Sequence, residues 1–227
     1  MATGGRNMGQ KINPIGFRIG SFINWSSRWF SQDKNYREYL AEDIAIRKSL
    51  SEKLKLAGVT LVEIERLPKS MTVTLNVSRP GVVIGRGGTG IEDVKKYIVE
   101  AVDGVRGKGK SKAKLVKIDI VVKEVKNPEA NARLVTQRIV GELERRLPHR
   151  RVINKAMERV MQAGAKGVKV VISGRIAGAD IARREKYHIG SIPSQTLRCN
   201  IDYFEMPALL KRGYVGIKIW IHKEEEK

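Results

Sequence analysis

The hydrophobic pattern in the first half of the chain switches between helical and strand-like spacing. Apolar residues recur every three or four positions over residues 33–57 and again over 89–102, as they do on one face of an amphipathic helix. Between and after these stretches, apolar residues alternate with polar ones or form short runs, as in strands. The predicted elements are, in order, a helix over 33–57, strands over 59–65 and 71–78, a helix over 89–102 and a strand over 115–125. A glycine-rich loop separates the second strand from the second helix.

The second half predicts two more helices and then further strands. Pro128 suits the first turn of a helix that runs to about Leu147, and Pro148 separates this helix from the next one. The remaining predicted elements are a helix over 150–161, a strand over 167–173, a glycine-rich basic loop over 174–194 and strands over 196–203 and 214–222. The last two strands alternate cleanly, which predicts antiparallel neighbours joined by a long loop containing Pro207 and Gly213. Both halves combine helices with a sheet, so the predicted fold class is α+β, with a mixed or antiparallel sheet in the second half.

The loop formed by Gly85, Arg86, Gly87 and Gly88 places three glycines and one cation at the start of a predicted helix. Glycines allow a sugar–phosphate backbone to approach without a Cβ in the way. Free N–H groups at a helix start attract anions, and Arg86 adds a planar fork of donors. KH modules use this chemistry to bind about four nucleotides of an RNA backbone. The alternative interpretation is an ordinary tight turn that caps the helix.

The charge of the chain favours the nucleic-acid interpretation. The 227 residues include 44 Lys and Arg against 24 Asp and Glu, which gives a net charge of +20 and a pI of about 10.2. A charge of this size opposes compaction and favours polyanionic partners. Aromatic residues make up only 6% of the chain, so phosphate contacts rather than base stacking should dominate the affinity and make it sensitive to salt. A solvated basic surface without a partner is the alternative.

Composition disfavours several other kinds of site. Cys199 is the only cysteine and the three histidines lack metal-ligand spacing, so no disulfide, metal site or cofactor is predicted. No apolar run reaches signal-peptide length or the roughly 18 residues that span a bilayer, so no membrane association is expected. No pair of acids and no nucleophile in a suitable setting indicates catalysis, so neither an enzyme nor a small-molecule substrate is predicted.

Two glycine patterns match nucleotide-binding motifs but stand in the wrong context. Residues 104–111 fit GxxxxGK[ST], yet a predicted helix precedes them and a strand follows, which is the reverse of a P-loop. Gly85, Gly87 and Gly90 fit GxGxxG, yet Pro80 interrupts the strand that a dinucleotide site requires. The first pattern is interpreted as a flexible basic loop, and nucleotide hydrolysis is kept only as an alternative function.

The segment before the first long helix combines arginine with aromatic residues. Residues 8–20 are predicted to be extended, and Trp25, Arg28, Trp29 and Phe30 follow closely. Such a mixture suits contact with an RNA groove or with a neighbouring protein. A hydrophobic arm folded back on its own domain is an equal alternative.

Several stretches of the sequence together resemble the family of bacterial-type small-subunit ribosomal protein S3 (uS3). They are Met8-Gly9-Gln10-Lys11-Ile12-Asn13-Pro14-Ile15-Gly16-Phe17-Arg18, Arg79-Pro80-Gly81-Val82-Val83-Ile84-Gly85, Gly164-Ala165-Lys166-Gly167-Val168-Lys169-Val170, Ser173-Gly174-Arg175 with Ile181-Ala182-Arg183, Leu197-Arg198-Cys199-Asn200-Ile201-Asp202-Tyr203 and Gly216-Ile217-Lys218-Ile219-Trp220. The resemblance covers residues 8 to about 223, and jointly these motifs are highly specific.

The resemblance implies a domain organisation and a function. The implied order is an N-terminal arm and helix start over 1–45, a type II KH domain over 46–126, a C-terminal α+β domain over 127–223 and a short acidic tail over 224–227. The implied role is a structural constituent of the small ribosomal subunit. It would bind 16S rRNA in the lower part of the head, beside other head proteins, and contact mRNA at the entrance of its channel, positioning it and helping to unwind it. The expected localisation is the cytoplasmic ribosome, with an organellar ribosome as the alternative; a KH regulator outside the ribosome is the other functional alternative.

The resemblance also implies particular binding residues. In the family, basic residues on the helix after the second domain's first long helix face incoming mRNA, and the matching positions here are Arg150 and Arg151. Asn154 stands where the family usually has a basic residue, and the neighbouring Lys155 is the expected substitute. The other candidates for rRNA contact are Lys11, Arg18, Arg28, Lys108, Lys110, Arg175, Arg183 and Arg184.

Overall fold

The computed structural model describes residues 11–21, 23–67, 70–106 and 117–224. Its elements are α1 (Pro14–Arg18), β1 (Ser27–Arg28), α2 (Asp33–Lys53), β2 (Val59–Arg66), β3 (Ser70–Val77), α3 (Pro80–Ile84), α4 (Thr89–Arg106), β4 (Lys117–Glu124), α5 (Ala132–Glu144), α6 (His149–Gln162), β5 (Gly167–Gly174), β6 (Arg183–Gly190), β7 (Ile201–Leu210) and β8 (Gly213–His222). None of these described helices is long and apolar enough to cross a membrane.

Contacts divide the chain into two compact units. The first unit is Trp25–Leu134, and the second combines Met1–Asn24 with Val135–Lys227. This division differs from the predicted 46–126 and 127–223 at the N-terminal arm and at residues 127–134, which belong to the first unit. Residues 25–45 of the predicted arm belong to the first unit, because β1 pairs with β2 and α2 packs in that unit's core. The earlier residues belong to the second unit, where α1 contacts β7.

The first unit is a four-stranded mixed sheet packed against helices. The strand order is β1-β2-β3-β4, in which β2 and β3 are antiparallel while β3 and β4 are parallel. The centre of the core is formed by Ile46 and Leu50 of α2, Val73 and Leu75 of β3 and Ile98 of α4, each with 0% exposure. The predicted order of helix, strand, strand, glycine loop, helix and strand is confirmed, and it is the order expected of a type II KH domain.

Gly58 makes the turn between the helical segment and β2 possible. Regular helix ends at Lys53, and a short 3-10 turn, Lys55–Ala57, precedes Gly58. Gly58 has a φ of +65°, and a Cβ built on it would lie 2.3 Å from Oγ of Ser78. Both the left-handed backbone and this close approach require glycine, and its position agrees with the predicted change from helix to strand between residues 57 and 59.

A buried carboxylate anchors the segment before α2 to the first unit. Asp43 has 0% exposure, and its oxygens accept bonds from Nε1 of Trp29 at 2.9 Å and from the guanidinium of Arg66. Trp29 therefore packs back on its own unit, which was one of the two alternatives for this segment. Trp25 and Phe30 remain 64% and 87% exposed, so the other two aromatic side chains do not join this core.

The second unit is a four-stranded antiparallel sheet in the order β6-β5-β8-β7. Its core combines Val168, Val170 and Ile172 of β5 with Ile217, Ile219 and Ile221 of β8 and Val152, Ile153 and Val160 of α6. The prediction that the last two strands are antiparallel neighbours is confirmed. The predicted long loop between them is wrong, because β7 continues through Pro207 to Leu210 and pairs with β8 up to Gly213.

Three further predictions require correction. The segment predicted as extended contains α1, whose first turn is capped by Asn13 Oδ1 accepting from the amides of Ile15 and Gly16. The predicted loop over 174–194 contains β6, where charged residues on both faces hide the alternation typical of a strand. The helix predicted from Pro128 begins later, at Ala132, after a 3-10 turn over Pro128–Ala130.

Candidate nucleic-acid interface

The glycine loop of the first unit forms an open backbone surface between α3 and α4. Gly85, Gly87 and Gly88 have φ values of +69°, +65° and +83°, a region that L side chains rarely adopt. A Cβ on Gly87 or Gly88 would find no atom within 4 Å, so the space beside this backbone is open. Of Arg86, at the predicted cationic position, the structure describes only the backbone. The loop is therefore shaped for close approach of a ligand to its backbone.

Gly90 serves packing rather than phosphate binding. A Cβ at this position would lie 2.3 Å from the carbonyl oxygen of Val83, so glycine is needed for α4 to approach α3. This contact accounts for the third glycine of the GxGxxG pattern without a dinucleotide. The P-loop pattern over 104–111 begins in α4 and precedes β4, which agrees with its rejection. Residues 107–116, including the candidates Lys108 and Lys110, lie outside the described residues.

The predicted mRNA-facing residues lie on the outer face of α6. Arg150 and Arg151 in its first turn and Lys155 one turn later are exposed, as is Asn154. The opposite face of the helix is buried by Val152, Ile153, Ala156, Met157 and Val160. The first turn of this fully described helix contains no acidic residue. Cations at a helix N-terminus oppose the macrodipole by about 0.3–1 kcal/mol each, so an anion bound there would relieve an unfavourable arrangement.

Glu185 of β6 fixes the start of α6. Its carboxylate accepts a hydrogen bond from the hydroxyl of Tyr187 at 2.5 Å and from Nε of Arg183 at 2.7 Å, and it lies 3.1 Å from Nε2 of His149. The Tyr187 bond first, and then the Arg183 bond, lower the pKa of Glu185 to about 2. The carboxylate is therefore ionised at neutral pH and holds the residue next to Arg150 in place.

A second cationic surface lies on the side of the second unit's sheet that is opposite the core residues of β5, here called the outer sheet face. It comprises Arg184, Lys186 and His188 of β6, Lys169 of β5 and Lys218 and Trp220 of β8. Lys218 is ion-paired with Glu205 of β7 at 3.0 Å, so the described cations of this face that remain unpaired lie toward β6. Nζ of Lys169 lies 4.8 Å from the ring centroid of Trp220. Burial and the nearby cations Lys11, Lys186 and Arg184 lower the pKa of Lys169, which shows that like charges are crowded here. Sequence reasoning missed Lys169, Lys186 and Lys218. Lys169 and Lys218 alternate with the core residues of β5 and β8, which was the available signal, whereas the charged faces of β6 gave none for Lys186.

Arg18 is not a surface residue, which argues against its predicted contact with rRNA. Arg18 is only 1% exposed, and its guanidinium donates hydrogen bonds to the carbonyl oxygens of Pro14, Ser194, Thr196 and Cys199. Burial lowers the pKa of Arg18. The guanidinium instead joins α1 to the segment that precedes β7.

The remaining candidates are exposed, but three of them already have partners within the chain. Arg28 forms an ion pair with Glu65 at 3.1 Å, and Arg175 forms one with Asp180 at 3.3 Å. Arg183 is bound to Glu185, as described above. The candidates without an ion pair among the described residues are Lys11, Arg150, Arg151, Lys155 and Arg184. These five side chains are the ones most available to an external anion.

Comparison with protein families defines the class of protein. The family model described as "KH domain" matches residues 45–130, and the family model described as "Ribosomal protein S3, C-terminal domain" matches residues 139–221. The chain thus combines a KH fold with the C-terminal domain of ribosomal protein S3, in the order and fold class that the sequence predicted.

Individual relatives match along almost the whole chain. The small ribosomal subunit protein uS3 of Clostridium acetobutylicum is 45% identical over 218 residues, which cover 96% of this chain and 93% of that protein. The uS3 proteins of Caldicellulosiruptor saccharolyticus and Persephonella marina are each 44% identical, over 95% and 96% of this chain and 92% of each relative. The chain belongs to the family of small ribosomal subunit protein uS3. This family is structural and non-enzymatic, which confirms the prediction that the chain is not an enzyme.

Proposed function

We propose that this chain is a structural protein of the head of the small ribosomal subunit, that it binds 16S rRNA there beside other head proteins, and that the start of α6 contacts mRNA at the entrance of its channel. Family membership and the net charge of +20 support a ribonucleic partner. The proposed location is the ribosome of the cytoplasm.

The observation that carries the mRNA contact is the exposed cationic face of α6. Arg150, Arg151 and Lys155 project from one end of a helix whose opposite face is buried in the core of the second unit. A helix anchored in this way holds its cations in fixed positions. Arg150 and Arg151 also lack carboxylate partners among the described residues, although Arg150 contacts the hydroxyl of Tyr187, so their charge is not neutralised and is available to phosphates. Fixed arginine forks are suited to binding phosphate oxygens in pairs.

The glycine loop and the outer sheet face are proposed to bind rRNA. Gly87 and Gly88 present open backbone beside the start of α4, as expected of a KH clamp. The outer sheet face brings Lys169 close to other cations, whose mutual repulsion a bound phosphate backbone would reduce. Arg28, Arg175 and Arg183 would need to exchange or share their present carboxylate partners to take part.

The mRNA contact is tested by the double substitution Arg150→Ala with Arg151→Ala in small subunits that carry the full chain. Both side chains are exposed, so assembly should be preserved. Translation through a stable mRNA hairpin should slow, whereas translation of an unstructured message should not. Each lost phosphate contact with a single strand should also lower the log–log salt slope of mRNA binding by about 0.7, or about 1.4 in total.

The matched control is Lys95→Ala with Lys96→Ala, which removes two adjacent exposed cations from α4. This variant should translate the hairpin-containing message at the original rate. Equal rates for the Arg150/Arg151 variant and the unmodified chain would refute the mRNA contact. Equal slowing by both double variants would instead attribute the effect to the loss of general positive charge.

A further inference from the structure

The second unit contains a groove that touches the proposed RNA contacts only at Arg175 on its rim. It lies between the turn that joins α5 to α6 and the hairpin of β7 and β8, and it has a volume of about 760 Å³. Its walls are predominantly apolar, with Leu143, Leu147, Ile172, Ile176, Leu210 and Val215 among them. The volume falls within the range of about 300–1,000 Å³ that is typical of ligand pockets. This feature is called the hairpin groove below.

Apolar side chains at the hairpin groove remain in contact with water. Leu147 and Leu209 both line it and are 47% and 58% exposed. Exposed apolar surface beside a concave apolar site is typical of binding surfaces rather than of an ordinary solvated face. Burying such side chains against a partner would remove their apolar surface from water, which favours association.

Backbone strain is concentrated at the same groove. Among the described residues, Arg146 and Ala177 are the two non-glycine residues with positive φ, at +64° and +53°. Both line the hairpin groove. Residues in this backbone conformation cluster at ligand clamps, where the surrounding structure holds them.

The rim of the hairpin groove is cationic. Four of its lining residues, Arg146, Arg175, Lys211 and Arg212, are basic, and Glu144 is acidic. Arg175 and Arg212 share the carboxylate of Asp180, at 3.3 Å and 3.5 Å. Arg146 and Lys211 are exposed and have no ion-pair partner within the described part of the chain. Two cations are therefore available to carboxylates of an incoming ligand.

We infer that the hairpin groove binds a segment of another small-subunit protein, one that inserts an apolar side chain and pairs flanking carboxylates with Arg146 and Lys211. An RNA backbone fits poorly, because predominantly apolar walls would desolvate its phosphates without hydrogen bonds in return. A protein segment fits well, since apolar anchors in desolvated pockets surrounded by polar rims dominate protein interfaces. This inference rests on the proposed function only in taking the partner from the small subunit.

The inference is tested by placing the photo-reactive residue p-benzoylphenylalanine at Leu209 of the full chain in assembled small subunits. Leu197 is the matched control position, since it is 41% exposed in the same unit but does not line the groove. Irradiation should crosslink position 209 to one protein, through a peptide in which an apolar residue is flanked by Asp or Glu. Position 197 should not give this product.

Charge reversal separates specific binding from proximity. Lys211→Glu should reduce the yield of the crosslink from position 209 about fivefold, because it replaces an attraction with a repulsion. Lys166→Glu reverses an exposed charge of the second unit that does not line the groove, and it should leave the yield unchanged.

Crosslinks from position 209 to rRNA alone, to a second copy of this chain or to no molecule would each overturn the inference. So would an unchanged yield in the Lys211→Glu variant. None of these outcomes affects the hairpin-translation test of Arg150 and Arg151, so failure of the groove and failure of the proposed mRNA contact are distinguishable.

Discussion

The buried guanidinium of Arg18 should be a structural clamp whose removal destabilises the second unit. Three of its bonds are short: Nε to the carbonyl oxygen of Cys199 at 2.8 Å, Nη1 to that of Pro14 at 2.9 Å and Nη2 to that of Thr196 at 2.7 Å. A fourth, from Nη2 to Ser194, is longer at 3.3 Å. No carboxylate forms an ion pair with Arg18 among the described residues, so its burial is compensated by backbone carbonyls and by the ring of Phe17, whose centroid lies 5.7 Å from the guanidinium carbon. Arg18→Met would keep the apolar stem and remove every donor.

The expected loss of stability follows from these bonds. Hydrogen bonds to a charged group contribute about 1.5–3 kcal/mol each, so three short bonds give about 5–9 kcal/mol in total. Burial of the guanidinium costs several kcal/mol in return. The free energy of unfolding of the second unit should therefore fall by about 3 kcal/mol, which is more than a hundredfold in the population of the opened state.

The assay is hydrogen exchange of the full chain, read at amides of the segment before β7 and compared with those of the β2–β3 pair as an internal reference. In Arg18→Met, protection should fall near residues 194–200 and stay constant in β2 and β3. Arg18→Lys should lose most of the same protection, because one ammonium cannot reproduce a planar fork aimed at several carbonyls. Unchanged protection in both variants, together with weaker rRNA binding, would refute this reasoning and restore Arg18 as a surface contact.

Three further predictions concern the fold. Asp43→Asn should lower the free energy of unfolding of the first unit by about 1.5–3 kcal/mol in urea titrations, because the Arg66 guanidinium loses its charged bonds to Asp43 and keeps only the carboxylate of Glu42, 2.6 Å away; a change below about 0.5 kcal/mol would contradict this. Gly58→Ala should destabilise more than Gly87→Ala in the same assay, since both have positive φ but only the first adds a steric clash, and the reverse order would be evidence against the described turn. The pKa of Glu185 lies near 2 in the folded chain and near 4.5 in the unfolded chain, so the stability that its carboxylate contributes is complete above pH 4.5 and is lost as the pH falls toward 2. Glu185→Gln should therefore flatten the plot of unfolding free energy against pH between these values. An identical plot for both proteins would refute the network.

Much of the fold was predictable because apolar residues keep a regular period where one face of an element is buried. In β3, Met71, Val73, Leu75 and Val77 are buried at every second position. The same logic failed for β6, whose core-side positions include Glu185 and Tyr187 rather than aliphatic residues. These polar groups satisfy each other and His149 in three dimensions, an arrangement that periodicity cannot reveal.

The candidate site was predictable in type but not in every member. The glycine loop and the α6 cations follow from local sequence, because a few consecutive residues define each. The structure argues against the predicted rRNA contact of Arg18, and the sequence could not show this, since the carbonyl groups that its guanidinium binds lie as far as 181 positions away. The hairpin groove was also missed, because it is formed where α5, α6, β5 and the β7–β8 hairpin meet, which no local pattern specifies.

The central claim is that fixed cations on this fold bind ribosomal RNA through its phosphates. It is tested most directly by the affinity of the purified full chain for 16S rRNA at about 50 mM and about 200 mM salt. The account predicts a linear fall of log affinity with log salt and a loss of at least about a thousandfold, as expected for six or more phosphate contacts. An affinity that stays constant over this range would contradict it.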